Sequence, residues 1–182
     1  MKSAIRPEFR QLLKDQRGAA VIIWSCFMIS IVIYIVIARN ILANPRYGSG
    51  LSFAESGRIV LWVLVFIDVG YLIWWKARYL RPAALLDKAK QSKLLQVLTS
   101  YQGALEQDAA SVVSTFVTRR IVLYAIIEAL GVYGLILAII GRYLTDQYLL
   151  SALSLILLVV EFPTEKSLEK SIAAVEMGTH SA

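Results

Sequence analysis

Two carboxylic acids stand inside apolar runs: Asp68 in residues 59–75 and Glu128 in residues 121–140. A run of about 20 apolar residues is long enough to cross a bilayer. A carboxylate at that depth costs several kcal/mol, so it is protonated, paired or functional. Neither run holds a lysine or arginine to pair with its acid. Two carboxyls that face each other in a low dielectric cannot both ionise cheaply. They share a proton or clamp a cation. Glu128 and Asp68 are therefore candidate proton or ion sites.

Charge boundaries place the two acids at one depth. Asp68 lies eight residues before Lys76, and Glu128 lies eight residues after Arg120. At about 1.5 Å per residue, each carboxyl is roughly 12 Å inside its span. Ser25 is eight residues after Arg17 and joins this layer, with Ser154 a further candidate. The acids are thus level on antiparallel helices, where the sequence predicts that they meet.

Glu128 also opens a helical stripe. Glu128, Gly131, Gly134, Ala138 and Gly141 step by three or four residues and share one face. Small side chains let membrane helices approach closely. The stripe predicts helix packing at Gly131, Gly134, Ala138 and Gly141, with Glu128 turned into the contact rather than toward lipid.

The elements that must position these groups follow from hydropathy. The 182 residues have a net charge of +6 and are 58% hydrophobic, too apolar for an ordinary soluble domain. Four apolar runs, at about 19–38, 59–75, 121–140 and 148–162, predict an all-α integral membrane protein of four transmembrane helices in a single polytopic domain over 1–182. A basic segment precedes the first run, as in a secretory signal. That run is about twenty residues, longer than a signal core of roughly 7–15 residues, so it reads as a retained helix. Residues 8–17 suggest a short surface helix before it. Residues 39–58 read as a loop, with turn signals at Asn44-Pro45 and Gly48-Ser49-Gly50.

Residues 76–120 form the longest polar loop. Leu94, Leu98, Tyr101 and Leu105 give it an amphipathic segment, suited to a membrane surface, a partner or its own neighbours. From Asp108, a possible cap, a helix should run unbroken into the third span. Residues 141–147 read as a tight turn, and Pro163 ends the fourth span.

Cation placement sets the orientation. The N-terminal segment carries 5 lysines and arginines, the 76–120 loop 8 and the C-terminal tail 2, or 15 in all. The other side has 3 in the 39–58 loop and 1 in the last turn, or 4. This positive-inside bias predicts a multi-pass protein of the cell (inner) membrane with both termini cytoplasmic.

Several classes of function are disfavoured. The cations flank spans, so nucleic acid is not an expected partner. No nucleophile motif, phosphate loop or zinc pattern occurs. One cysteine, Cys26, and one histidine, His180, argue against a disulfide framework, a haem or a metal centre. No cofactor and no enzyme activity are expected. The expected partners are the lipid bilayer and other membrane subunits or copies of the chain itself.

Glu128-Ala129-Leu130, Tyr133-Gly134-Leu135 and Ala138 carry a further signal. This stretch, about a dozen residues, resembles the ion-carrying helix of the c or proteolipid subunits that form the rotor rings of F- and V-type ATP synthases. The resemblance implies Glu128 as the ion carrier and Asp68 as a second polar ligand, with Tyr133 and Gly134 in the packing motif around them. Glu128, Asp68, Ser25 and Tyr133 make up the candidate ion-binding set. The second span has a single glycine, Gly70, where a ring helix is glycine-rich, and the loop after it is about forty residues long. The first reading is therefore a small accessory or structural subunit of a larger membrane complex. The second is a rotor-like proton or cation carrier.

Overall fold

A computed structural model of the chain describes residues 7–44, 51–80 and 104–164. Among these, all regular structure is helical: α1 (Pro7–Ala43), α2 (Ala54–Tyr79), α3 (Ala104–Gly141) and α4 (Leu144–Val160). Three stretches, Arg17–Ala43, Ala54–Tyr79 and Ser114–Gly141, are long and apolar enough to cross a membrane. The fourth helix is apolar but has 17 residues, which makes it about 25 Å long.

The helices are longer than their apolar runs. The surface helix expected at 8–17 and the first span are one 37-residue helix. Pro7 sits in its first turn, where a missing N–H breaks no hydrogen bond. Gly18 is the helix's one interior glycine, a cost of about 1 kcal/mol that the flanking residues absorb. Likewise α3 is already helical at Ala104, ahead of Asp108, and runs without a break through the third apolar run. Phe53 lies in the turn before α2. Leu94, Leu98, Tyr101, the turn residues Gly48-Ser49-Gly50 and the tail after 164 lie outside the described residues.

The turn expected over 141–147 is only Arg142 and Tyr143. Arg142 takes φ 58°, the left-handed conformation that reverses a chain after a helix. The Arg142 amide still bonds the Ala138 carbonyl at 3.0 Å, and the Tyr143 amide reaches the Leu137 carbonyl at 3.3 Å. Tyr143 folds back so that a Cβ at position 141 would run into its ring. Glycine at 141 thus leaves room for the Tyr143 ring, while the unusual φ falls on the arginine. So α4 starts at Leu144, four residues before its apolar run.

The described chain belongs to two contact units. One comprises Trp24–Trp74 and Leu123–Phe162. In it α3 is the central helix: Leu123, Tyr124, Ile127, Leu130, Leu137 and Ala138 are each at most 1% exposed. Helix α1 runs parallel to α3, with Phe27 against Tyr124 and Ile31 against Gly131. Helix α2 runs antiparallel, with Gly57 near Ile140 and Asp68 near Tyr133. Helix α4 is also antiparallel, with Leu150 against Gly134 and Ser154 bonded to the Ile127 carbonyl. Val65, Leu130, Leu137 and Leu150 form the core where α2, α3 and α4 meet.

The other unit comprises Met1–Ile23, Trp75–Val122 and Pro163–Ala182. Its described part centres on buried Arg119, which donates to the Tyr79 carbonyl at 2.6 Å and lies 5.6 Å from the Tyr79 ring centroid. Arg120 packs over Phe116 at 4.9 Å. Guanidinium stacking of this kind shelters a cation beside an apolar surface.

Candidate functional site: two tyrosine–carboxylate pairs

Each mid-span acid is held by a tyrosine from another helix. The Tyr34 hydroxyl on α1 donates to Glu128 Oε1 on α3 at 2.7 Å. The Tyr133 hydroxyl on α3 donates to Asp68 Oδ2 on α2 at 2.8 Å. Both acids and both tyrosines are half-buried. Each of these bonds ties two helices together.

The level placement of the acids agrees with the helix register. Gly57 lies against Ile140. Eleven residues on from Gly57 is Asp68, and eleven back from Ile140 is Ala129, next to Glu128. The expected meeting of the two acids is not how they are bonded. Tyr133 is five residues after Glu128, or about 140° around α3 at 100° per residue. Glu128 turns to the α1 side and Tyr133 to the α2 side. The hydrogen bonds of the acids therefore go to tyrosines, not to each other.

Ser25 has no hydrogen bond to either acid. In the parallel register of Ile31 with Gly131, it lies about one turn short of the Glu128 level. Ser154 does reach this layer. It is fully buried and donates to the Ile127 carbonyl at 2.7 Å. It fixes α4 to α3 and leaves the carboxylates alone.

The small-residue stripe divides between two neighbours. A Cβ at Gly131 would touch Ile31 at 3.3 Å and Tyr34 at 3.6 Å, both side chains of α1. A Cβ at Gly134 would lie 3.2 Å from the Gln147 Cα and carbonyl oxygen, the backbone of α4. Ala138 is fully buried, and Gly141 makes room for Tyr143 as described above. Close packing thus brings Tyr34 within reach of Glu128, because Gly131 lets α1 settle onto α3.

A third polar arrangement was not expected from sequence. Arg58 Nη2 donates to Asp146 Oδ1 at 3.0 Å, and its Nε lies 2.6 Å from Oδ2. The Arg58 guanidinium also lies 4.8 Å from the Tyr143 ring centroid. Asp146 is 3% exposed and sits in the first turn of α4, where the helix dipole favours an anion. Beside it Gln147, fully buried, bonds Ser151 at 3.3 Å. The signal available in sequence is an acid within residues 141–147, a segment whose composition reads as turn rather than helix. Tyr34 carries no such signal, since a tyrosine in an apolar run reads as bulk.

These groups hold α1, α2 and α4 in register against α3. Among the described residues, no three histidine, cysteine, aspartate or glutamate side chains gather to hold a metal. No protein-family model, curated protein or solved structure matches the chain.

Proposed function

We propose that this chain is a non-catalytic, multi-span subunit of a larger membrane complex, seated in the cell (inner) membrane with both termini cytoplasmic. The observation that carries the reading is the half-buried state of Glu128 and Asp68. Each accepts one tyrosine hydrogen bond, although a carboxylate has about four acceptor positions. Such groups are costly to leave beside lipid. A subunit whose acids are covered on assembly removes that cost. The orientation rests on the cation distribution.

The reading is tested by following the chain in its own membranes on a native gel. It should migrate well above the 20.3 kDa of one copy, and its loss should lower the abundance of unlike chains from the same band. Migration as a free chain, with no other protein affected, would refute it.

A second reading is a proton or cation carrier using Glu128 with Asp68. It is favoured by the level placement of two acids, each beside a hydroxyl that can relay a proton. On that reading, the purified chain in liposomes conducts protons, and Glu128→Gln abolishes the flux. On the subunit reading, neither the chain nor the variant conducts.

A further inference from the structure

Helix α3 is packed on three sides and open on the fourth. Tyr124, Glu128 and Gly131 turn to α1, Gly134 to α4, and Tyr133 and Ile140 to α2. At 100° per residue, the arc left over carries Ala125, Ala129, Val132, Ile136 and Ile139. Ala125, Ile136 and Ile139 are exposed, and Ala129 and Val132 are half-buried. This arc lies between α1 and α2, on the side of α3 away from α4.

Both acids border that arc. Glu128 is at its α1 margin, and Tyr133 at its α2 margin. On α1, Trp24 marks the side toward α4, because its indole donates to the Leu158 carbonyl at 2.8 Å. Tyr34 is about 80° around α1 from Trp24, on the side of the open arc. On α2, Arg58 marks the α4 side through Asp146. Asp68 is about 80° from Arg58 and within about 20° of Gly57, which touches Ile140 at the arc's edge. The open face is therefore a shallow apolar channel with a carboxylate on each wall, at one depth.

We propose that this face receives a transmembrane helix of a different chain, one with a lysine or arginine near mid-bilayer that lies between Glu128 and Asp68. The proposal rests on the subunit reading above and names the partner's chemistry. Charge complementarity selects it: two acids share one level, and each has one hydrogen-bond donor. A second copy of this chain does not fit. Residues 19–38, 59–75, 121–140 and 148–162 contain no lysine or arginine, so a second copy brings no cation to that depth. Ala125, Ala129 and Val132 keep the channel floor low, which allows close helix approach.

The test places a photo-crosslinking benzoylphenylalanine at Ile136 on the open face, and separately at Ile156 on the exposed face of α4, in the full chain in its native membranes. Crosslinked chains are sequenced. The proposal expects an adduct from position 136 but not 156, to a different chain whose crosslinked span holds a lysine or arginine. Asp68→Asn with Glu128→Gln should lower the adduct yield by about tenfold or more, as loss of a buried charge partner does. Reversing the charges, with Glu128→Lys here and an acid in place of the partner's cation, should restore it. An adduct to a second copy, to a span without a basic residue, or to lipid alone overturns the proposal, as does a yield that the neutral variants leave unchanged. Native migration separates the two readings: a large complex without the adduct defeats only this inference, whereas a free chain defeats the subunit reading as well.

Discussion

At the residue scale, hydroxyl–carboxylate bonds between apolar helices hold α1 and α2 to α3. Removing the Tyr34 hydroxyl in Tyr34→Phe deletes one donor to Glu128 and should destabilise the folded chain by about 1 kcal/mol. In Glu128→Leu the same Tyr34→Phe change should cost much less, a coupling that a double-mutant cycle in detergent unfolding measures. Equal effects in both backgrounds would mean that the bond does not form. Arg58→Ala should also lower stability in the same unfolding measurement, because it strands the Asp146 carboxylate at 3% exposure. That Asp68 and Glu128 lie level along α2 and α3 is legible in sequence, since lysine and arginine mark where each apolar run begins. Their partners are not. Tyr34 and Glu128 are 94 residues apart, and Tyr133 and Asp68 are 65 apart. Which face of α3 meets which helix is set by packing, and no local spacing encodes it.

At the element scale, α3 works as a post against which three helices are fixed. Its two interior glycines should respond differently to a methyl group. At Gly131 the obstacle is the Ile31 and Tyr34 side chains, which can move; at Gly134 it is the Gln147 backbone, which cannot. Gly134→Ala should therefore be the more damaging, and Gly134→Leu should cost about 3 kcal/mol and impair assembly. Ile156→Leu, on the exposed face of α4, serves as the tolerated control. If Gly131→Ala and Gly134→Ala unfold alike, the assignment of the stripe to two neighbours is wrong. The existence of α1, α2 and α3 followed directly from apolar run length. Their extents did not, because a polar residue in a helix that leaves the apolar layer breaks no hydropathy rule. The fourth helix was misplaced at its start for a local reason: the left-handed residue is Arg142, not a glycine, so the sharp reversal carried no sequence mark.

At the scale of the whole molecule, charge and topology reinforce one another. Helices α1 and α3 are parallel, with α2 and α4 opposed to α3 within the contact unit they share, and in sequence the lysines and arginines divide 15 to 4 between alternate segments flanking the apolar runs. With Cys26→Ser as background, Ser49→Cys and Ser100→Cys should be labelled by an impermeant thiol reagent from opposite sides of sealed membranes. Labelling of both from one side would remove the four-span arrangement. The central claim concerns assembly, and the most direct measurement is the mass and composition of the particle that holds this chain after extraction in a mild detergent. The account predicts one copy of the 20.3 kDa chain bound to unlike membrane chains. A closed ring of many identical copies, with no other protein present, would contradict it.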